Sequence, residues 1–285
     1  MRLFNTHFLS ITQITEMKTI LFAVALLLSP FLHAQELYSS TEPASNIAAG
    51  SIGIRLDNSI MNEVNSKKTN YHFIPGVMIG VSKKFMLQAN AFFSNRNEKF
   101  AYEGGSVYGK YRFLSHDVLQ KHFRMAAFAR VSVNKSDIHQ EEINMYGHNT
   151  GVEAGVVATQ LLRKVAFSSS LSFLKATDNG NNNKFIYGMK ESKAVNYTFS
   201  IGKLILPKEY RSYKQTNFNV MLEFLNQVNI GSGKYYVDVA PVVQFIFKSQ
   251  SKLDIGYRKE LASTMIRTAP NGFFIRIEHN LFNAF

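Results

Sequence analysis

The sequence has no cysteine, which excludes disulfide bonds, thiolate nucleophiles and thiolate metal sites. It also has no run of five or more basic residues, although its formal net charge is +12 at pH 7. Proteins that bind nucleic acid usually cluster their Lys and Arg, so this scattered charge argues against a nucleic-acid partner and leaves anionic lipid or an anionic solute. No Gly-rich phosphate loop is present, because Gly231-Ser232-Gly233 is a hairpin turn signal.

The apolar run at residues 20–32 falls short of the roughly 20 residues that a membrane-spanning helix needs. Lys18 precedes this run and Ala34 follows it. A charged start, a short apolar stretch and a small residue at the end predict a secretory signal peptide over residues 1–34, cleaved after Ala34, with Met17 as the natural start. A membrane anchor is the alternative interpretation of this segment.

The chain after residue 50 has no long stretch of helical periodicity and instead alternates polar and apolar residues, in segments near the ~10 residues of a membrane-spanning strand. In the last segment Phe273, Ile275 and Ile277 share one face, and Arg276 and Glu278 share the other. The same rule predicts strands at 51–62, 72–82, 85–94, 105–114, 122–134, 150–161, 164–176, 194–206, 216–230, 235–248, 252–261 and 272–285.

The predicted connections alternate in length. Those after even-numbered strands are mostly tight and comprise 83–84, 115–121, 162–163, 207–215 and 249–251. Those after odd-numbered strands are mostly longer and more polar, and include 95–104, 135–149 and 177–193, although 231–234 is short. Short periplasmic turns and longer outer loops are typical of a membrane barrel.

We therefore predict an all-β fold: a single-chain, antiparallel transmembrane β-barrel of about 12 strands over residues 51–285, after a cleaved signal peptide and a periplasmic N-terminal segment at residues 35–50. A water-soluble β-sandwich is the alternative. The terminal Phe285 has the lipid-facing parity of the last predicted strand, which is typical of barrels delivered to the outer-membrane insertion machinery. The expected location is the bacterial outer membrane, with membrane lipid and that machinery as partners.

The two ends of the mature chain resemble a group of uncharacterised outer-membrane proteins from Bacteroidota. The stretches that carry the resemblance are Thr41-Glu42-Pro43-Ala44-Ser45-Asn46, Ser51-Ile52-Gly53-Ile54-Arg55-Leu56, Val239-Ala240-Pro241 and Leu253-Asp254-Ile255-Gly256-Tyr257-Arg258. The resemblance implies an outer-membrane barrel and brings no catalytic residues. In the middle of the chain it extends only to the strand pattern.

Many charged residues fall on the polar parity of the predicted strands, where they face the lumen. The lumen candidates are Arg55, Asp57, Arg112, Arg124, Arg130, Glu223, Asp238, Arg258, Arg276 and Glu278. One interpretation is a structural ion-pair network that fills a narrow barrel, because buried charges must pair. The other is a permeation path or binding site. Arg112, Arg124 and Arg130 lie on adjacent strands with no acidic residue on the same faces, which favours an anion-attracting lumen.

No Ser–His–acid set occupies a convincing position, so we expect neither an enzyme nor a cofactor. One predicted loop carries His139, Glu141, Glu142, Met145 and His148, which form at most a weak cation site. The leading function is passive passage or binding of a small solute, with an anion favoured. The alternative is a closed barrel with a structural or partner-binding role.

Overall fold

The computed structural model describes residues 40–64, 68–96, 99–118, 121–181, 192–209, 212 and 214–285. The predicted signal peptide lies outside these residues. Within the described ranges, no helix is long and apolar enough to span a membrane.

Twelve antiparallel strands close into one barrel, as the alternating pattern predicts. They are β1 (Ile52–Asn62), β2 (Thr69–Gly80), β3 (Phe85–Ser94), β4 (Ala101–Val118), β5 (Lys121–Asn134), β6 (Thr150–Leu162), β7 (Val165–Thr177), β8 (Lys193–Leu206), β9 (Asn217–Asn229), β10 (Tyr235–Phe247), β11 (Ser251–Ser263) and β12 (Asn271–Leu281). Each strand pairs with its neighbours in sequence, and β1 pairs with β12. Closure leaves no strand edge unpaired, which a sheet in lipid requires.

The two faces of the wall differ in polarity because side chains alternate along each strand. On β12, Phe273, Ile275 and Ile277 point outward with 59%, 38% and 45% of their surface exposed. On β9, the inward side chains of Asn219 and Glu223 are fully buried. An apolar exterior and a polar interior are the pattern of a membrane-spanning barrel, and they argue against the sandwich, whose apolar residues would face a core between two sheets.

The connections define two different ends of the barrel. At the end that holds the start of β1 and the end of β12, the turns between strands are mostly short, and we call it the turn end. The opposite end carries residues 135–149 and the described residues 178–181 and 192, and we call it the loop end. In an even-stranded bacterial barrel the turn end faces the periplasm.

Several predicted strand boundaries shift by a few residues, and two of these shifts change the turn end. β4 continues to Val118, so the predicted connection 115–121 is shorter, because a register shift after Arg112 lets β4 pair with β5 from Gly104 to Val118. β12 ends at Leu281 rather than at Phe285. The backbone N–H of Ala284 instead donates to the carbonyl of Gly50 at 2.7 Å, so Phe285 lies beyond the strand, with 71% of its surface exposed.

Candidate functional site

The chain before β1 enters the lumen from the turn end. We call residues 40–50 the N-terminal segment. Its last residue, Gly50, donates to the carbonyl of Gly80 at the end of β2, at 2.8 Å. Further back, the backbone N–H groups of Ser40 and Thr41 both donate to Glu223 Oε2 in the middle of β9, at 2.9 Å. The predicted periplasmic segment covers residues 35–50, of which the structure describes residues 40–50. These described residues lie in the lumen, where they satisfy backbone groups on the polar inner wall.

Wall residues on several strands hold the N-terminal segment. Lys110 Nζ donates to the carbonyls of Pro43 and Ser45, both at 2.7 Å. The backbone N–H of Ala44 donates to Thr159 Oγ1 at 3.0 Å. Further contacts join Ser200 to Thr41 at 2.9 Å, Arg124 to Ser45 at 2.9 Å, and Arg55 to Glu42 in an ion pair. These contacts bury Thr41, Ala44 and Ser45 inside the barrel.

A second segment fills the lumen from the loop end. Residues 135–149, predicted as an outer loop, fold back into the barrel, and we call them the inward loop. The backbone N–H of Ile143 donates to Gln227 Oε1 on β9 at 2.9 Å, and Gln227 Nε2 donates back to the Ile143 carbonyl at 2.8 Å. Ile143 and Met145 are each 1% exposed and pack against Leu174. Apolar packing and backbone hydrogen bonds therefore both fix this loop.

Charged contacts clamp the inward loop to the far wall. Arg267, from the connection between β11 and β12, donates through Nε to Glu142 at 2.7 Å and through two other nitrogens to Asp238, each at 2.7 Å. Arg258 donates through Nε to Asp238 at 2.6 Å and contacts Glu142 at 3.2 Å. Arg267 also donates to Glu260 at 2.9 Å, so three acids and two arginines form one network.

Histidine and tyrosine complete the attachment of the inward loop. The ring of His148 stacks on that of His72, with centroids 4.9 Å apart, and its Nδ1 lies 2.7 Å from Arg96. Burial and the charge of Arg96 hold the pKa of His148 well below its usual range, so the ring is neutral. The Tyr146 hydroxyl donates to Asp57 on β1. Burial and the negative charge of Asp57 raise the pKa of Tyr146, which stays a hydrogen-bond donor.

Several lumen candidates pair across neighbouring strands. Arg55 on β1 lies opposite Glu278 on β12, and their side chains form an ion pair at 3.0 Å. The next inward pair, Asp57 and Arg276, also forms an ion pair. Glu223 instead receives the backbone N–H groups of the N-terminal segment. Paired charges avoid the large cost of burying a lone charge in the barrel.

The three arginines expected to form one cationic wall each have a different partner. Arg112 donates to the carbonyl of Lys83 at 2.6 Å, beside the turn between β2 and β3. Arg124 forms an ion pair with Asp117 at 3.2 Å, because the extension of β4 brings this acid next to β5. The expected absence of acids near these arginines is therefore wrong. Arg130 lies 4.0 Å from Glu153 on β6, which is its pairing partner in the sheet.

A cavity of about 340 Å³ remains between the two segments. Thr41 and Glu42 of the N-terminal segment border it, as do Ile143 and Tyr146 of the inward loop. Its wall contains several lumen candidates and further polar and apolar side chains, including Asp57, Tyr108, Phe128, Arg130, Glu153, Leu174, Arg258 and Arg276. Cavities of about 300–1,000 Å³ with mostly apolar walls and a few polar groups are typical of small-molecule sites.

Nearby positive charges keep the carboxylates of Glu42 and Glu142, at the edges of this cavity, ionised. Burial raises the pKa of Glu42, but the charges of Arg55, Lys110 and Arg276 outweigh this effect and lower it to about 2. Arg267 and Arg258 likewise outweigh burial at Glu142 and lower its pKa to about 2. Both segments are therefore held by ionised carboxylates at neutral pH.

The predicted weak cation site does not assemble. Glu142 is paired with arginines, and Glu141 with Lys234. His148 is stacked on His72. In the described part of the chain, no group of three or more His, Asp or Glu side chains is arranged to hold a metal ion.

The sequence pattern did not reveal several of the contact residues. Glu42, Glu142, Tyr146 and Arg267 lie outside the strands, where alternation says nothing about the direction of a side chain. The one available signal was composition: the stretch at residues 135–149 is long for a barrel connection and carries Ile143 and Met145, which a solvated loop has little reason to contain.

No protein-family model matches the sequence, and no curated protein matches it either. Among solved structures, an outer-membrane channel from Pseudomonas putida F1 is similar with a TM-score of 0.53 and 11% identity, over 85% of this chain and 99% of that chain. The chain folds as a bacterial outer-membrane β-barrel. The apolar exterior and the polar lumen of this closed barrel place it in the outer membrane.

Two further structures have lower similarity. Outer membrane phospholipase A from Escherichia coli has a TM-score of 0.42 and 9% identity, over 89% of this chain and 96% of that chain. OccK11 from Pseudomonas aeruginosa has a TM-score of 0.38 and 10% identity, over 81% of this chain and 66% of that chain.

Proposed function

We propose that this barrel binds a small polar solute and lets it pass when the N-terminal segment leaves the lumen. The observation that carries the proposal is the cavity of about 340 Å³ between two segments that are attached to the wall. The likeness to the Pseudomonas putida channel is consistent with a transport role. The described structure then corresponds to the closed state of the path.

The attachment of the N-terminal segment suits a removable plug. Its wall contacts are mainly hydrogen bonds and ion pairs, made by Glu223, Lys110, Thr159 and Arg55. Water replaces such contacts at modest net cost, because an average hydrogen bond contributes only about 0.5–1.5 kcal/mol to stability. The apolar contact of the N-terminal segment is small, with Ala44 packed against Ala126 and Val157. The inward loop buries the larger side chains of Ile138, Ile143 and Met145 in its apolar cluster, so we assign the movement to the N-terminal segment.

Planar-bilayer recording of a loosened variant tests this proposal. Lys110→Met removes the donor to two carbonyls of the segment, and Glu223→Gln removes the charge that receives two of its N–H groups. We expect the double variant to open more often than the wild type. Lys164→Met is a matched control, because Lys164 also donates to two carbonyls, those of Pro207 and Lys208, but in the turn region between strands.

A closed barrel with a structural or partner-binding role is the second candidate. The ion pairs around the lumen, such as Arg55–Glu278 and Arg267–Asp238, favour it, since they fill space that a wide pore would leave to water. In that case neither the wild type nor the double variant conducts, and the double variant only loses stability. That result would overturn passage as the function.

We propose a non-enzymatic role. Within the described ranges, Ser251 is the serine whose hydroxyl contacts a histidine ring. It lies 2.8 Å from His279 Nδ1, on the outer face of the barrel, and no described carboxylate bonds this ring. A Ser–His nucleophile needs a third group that orients the ring.

The Bacteroidota origin, the lipid partner and the insertion machinery stay predictions, because the cavity does not test them.

A further inference from the structure

Arg130 is the arginine of the cavity wall whose hydrogen-bonding capacity is least used. Its guanidinium carbon lies 5.1 Å from the ring centre of Tyr108 and 4.8 Å from that of Tyr146, so two aromatic rings hold it in place. Its Nε is buried without a hydrogen-bond partner, and its nearest acid, Glu153, stays 4.0 Å away. Arginine offers five N–H donors, and the Arg130 side chain, which is 12% exposed, lines the cavity.

The groups around Arg130 are also incompletely satisfied. The Tyr108 hydroxyl is buried without a hydrogen-bond partner, and the whole residue is only 1% exposed. Glu153 receives one hydrogen bond, from Ser172 at 2.8 Å, although a carboxylate accepts several. Buried polar groups without partners are rare in proteins and call for an explanation such as a bound ligand.

The other arginines that line the cavity are already engaged. Arg96 contacts Glu103 and the carbonyl of Gly147, Arg258 contacts Asp238, and Arg276 pairs with Asp57. Among the described residues that line the cavity, a ligand therefore meets Arg130 as the available cation and Glu153 as the available anion, and the two lie opposite each other on neighbouring strands.

We infer that this cavity binds a small zwitterion that carries a carboxylate and an ammonium group close together, with an apolar side chain, as in an aliphatic α-amino acid. The carboxylate accepts hydrogen bonds from Arg130 and from the Tyr108 hydroxyl, and the ammonium donates to Glu153. A simple anion would place its charge beside Glu153 without compensation, and a simple cation would do the same beside Arg130. Phe128 and Leu174, which also line the cavity, offer an apolar surface for the side chain.

Calorimetric titration of the full chain in detergent with three matched probes tests the site. L-Leucine carries both charges, 4-methylpentanoate lacks the ammonium group, and isopentylamine lacks the carboxylate. We expect leucine to bind at least tenfold more tightly than either analogue. If 4-methylpentanoate binds as tightly as leucine, the site takes simple carboxylates and the zwitterion inference is wrong. If none of the three binds, the site itself is wrong.

Single substitutions in the cavity wall test which side chains contact the ligand. Arg130→Gln and Glu153→Gln should each weaken leucine binding at least tenfold, whereas Arg163→Gln and Glu209→Gln, at exposed turns, should leave it unchanged. Tyr108→Phe removes a hydroxyl that has no partner in the protein, so it should keep the barrel folded and weaken binding several-fold. Unchanged leucine affinity in both Arg130→Gln and Tyr108→Phe would overturn the assignment.

The inference rests on the proposed function in one respect: it takes the solute that binds in the cavity to be the solute that passes through the barrel. Titration needs no current, so the two claims fail separately. Leucine binding without conductance would overturn passage and leave the site in place. Conductance without leucine binding would overturn the site and leave passage in place.

Discussion

Each lumen segment carries an acidic side chain that forms ion pairs with arginines. Glu42 pairs with Arg55 on β1, and Glu142 pairs with Arg258 on β11 and with Arg267 in the connection between β11 and β12. Charge pairs of this kind depend on both partners, because an arginine left alone inside the barrel loses its compensation. The closed state is therefore sensitive to any change that removes one of these negative charges.

Acid should weaken the attachment of the N-terminal segment. The pKa of Glu42 falls from 4.5 to about 2 in the folded chain. A lowered folded pKa gives stability that is fully present above about pH 4.5 and is lost as the pH falls toward 2. At 1.36 kcal/mol per unit, Glu42 contributes about 3 kcal/mol. We expect the free energy of unfolding in guanidinium to fall over this pH window.

Glu42→Gln supplies the control for this prediction. The variant lacks the titrating carboxylate, so its unfolding free energy should vary less between pH 5 and pH 2 than that of the wild type. The remaining variation then belongs to other acids, such as Glu142, whose pKa is also lowered to about 2. Identical pH profiles for the variant and the wild type would contradict the role of Glu42.

Ile275 and Phe245 test the outward face of the wall. Ile275 lies near the middle of β12 and is 38% exposed toward the surroundings of the barrel, whereas Phe245 lies two residues before the end of β10. Replacing Ile275 with Arg should cost about 2–4 kcal/mol of unfolding free energy, because a charge at the bilayer midplane loses its hydration, and replacing Phe245 with Arg should cost less because the cost falls toward the interface. Ser232→Arg, in an exposed turn at the loop end, should change it little. Near-zero changes at both wall positions would mean that the faces are assigned wrongly.

Strands were the elements that the sequence predicted best. The alternation of apolar and polar residues predicted all twelve strands and the inward parity of Asp238, Arg258 and Glu278, which the structure buries or half-buries. The reason is physical: a wall between lipid and a polar lumen imposes a period of two on every strand. The end of β4 was missed because a register shift after Arg112 interrupts that period.

The two lumen segments were beyond the reach of the sequence pattern. Neither the N-terminal segment nor the inward loop has regular periodicity, and their contacts join residues far apart in sequence, such as Thr41 with Ser200 and Ile143 with Gln227. Polar residues are equally compatible with a loop exposed to water and with a segment inside a polar lumen. The polar residues therefore favoured solvent exposure, and Ile143 and Met145 were the signal for the burial that the structure shows.

Cysteine labelling tests the orientation of the barrel, since the chain has no native cysteine. Ser232 and Gln250 are both exposed, at the loop end and the turn end respectively. We expect Ser232→Cys to react with an impermeant reagent on whole cells, and Gln250→Cys to react only after the outer membrane is permeabilised. The reverse pattern would invert the barrel. Gln140, although in a predicted outer loop, is only 9% exposed and is a poor labelling site.

At the scale of the whole molecule, the barrel is a membrane wall whose lumen is filled from both ends. The inward loop is fixed by an apolar cluster and a charge network, whereas the N-terminal segment is held mainly by polar contacts with wall residues such as Lys110 and Glu223. This difference makes the N-terminal segment the movable part. The cavity between the N-terminal segment and the inward loop is then the site where a solute binds.

A reversible disulfide bond tests most directly whether the N-terminal segment closes the path. The hydroxyl oxygens of Thr41 and Ser200 lie 2.9 Å apart, so Thr41→Cys with Ser200→Cys should form a disulfide between segment and wall. In the Lys110→Met background, single-channel recording should show no openings of the oxidised chain and frequent openings after reduction. Equal opening in the oxidised and reduced states would contradict the account, because the segment would then be fixed in the lumen while current flows.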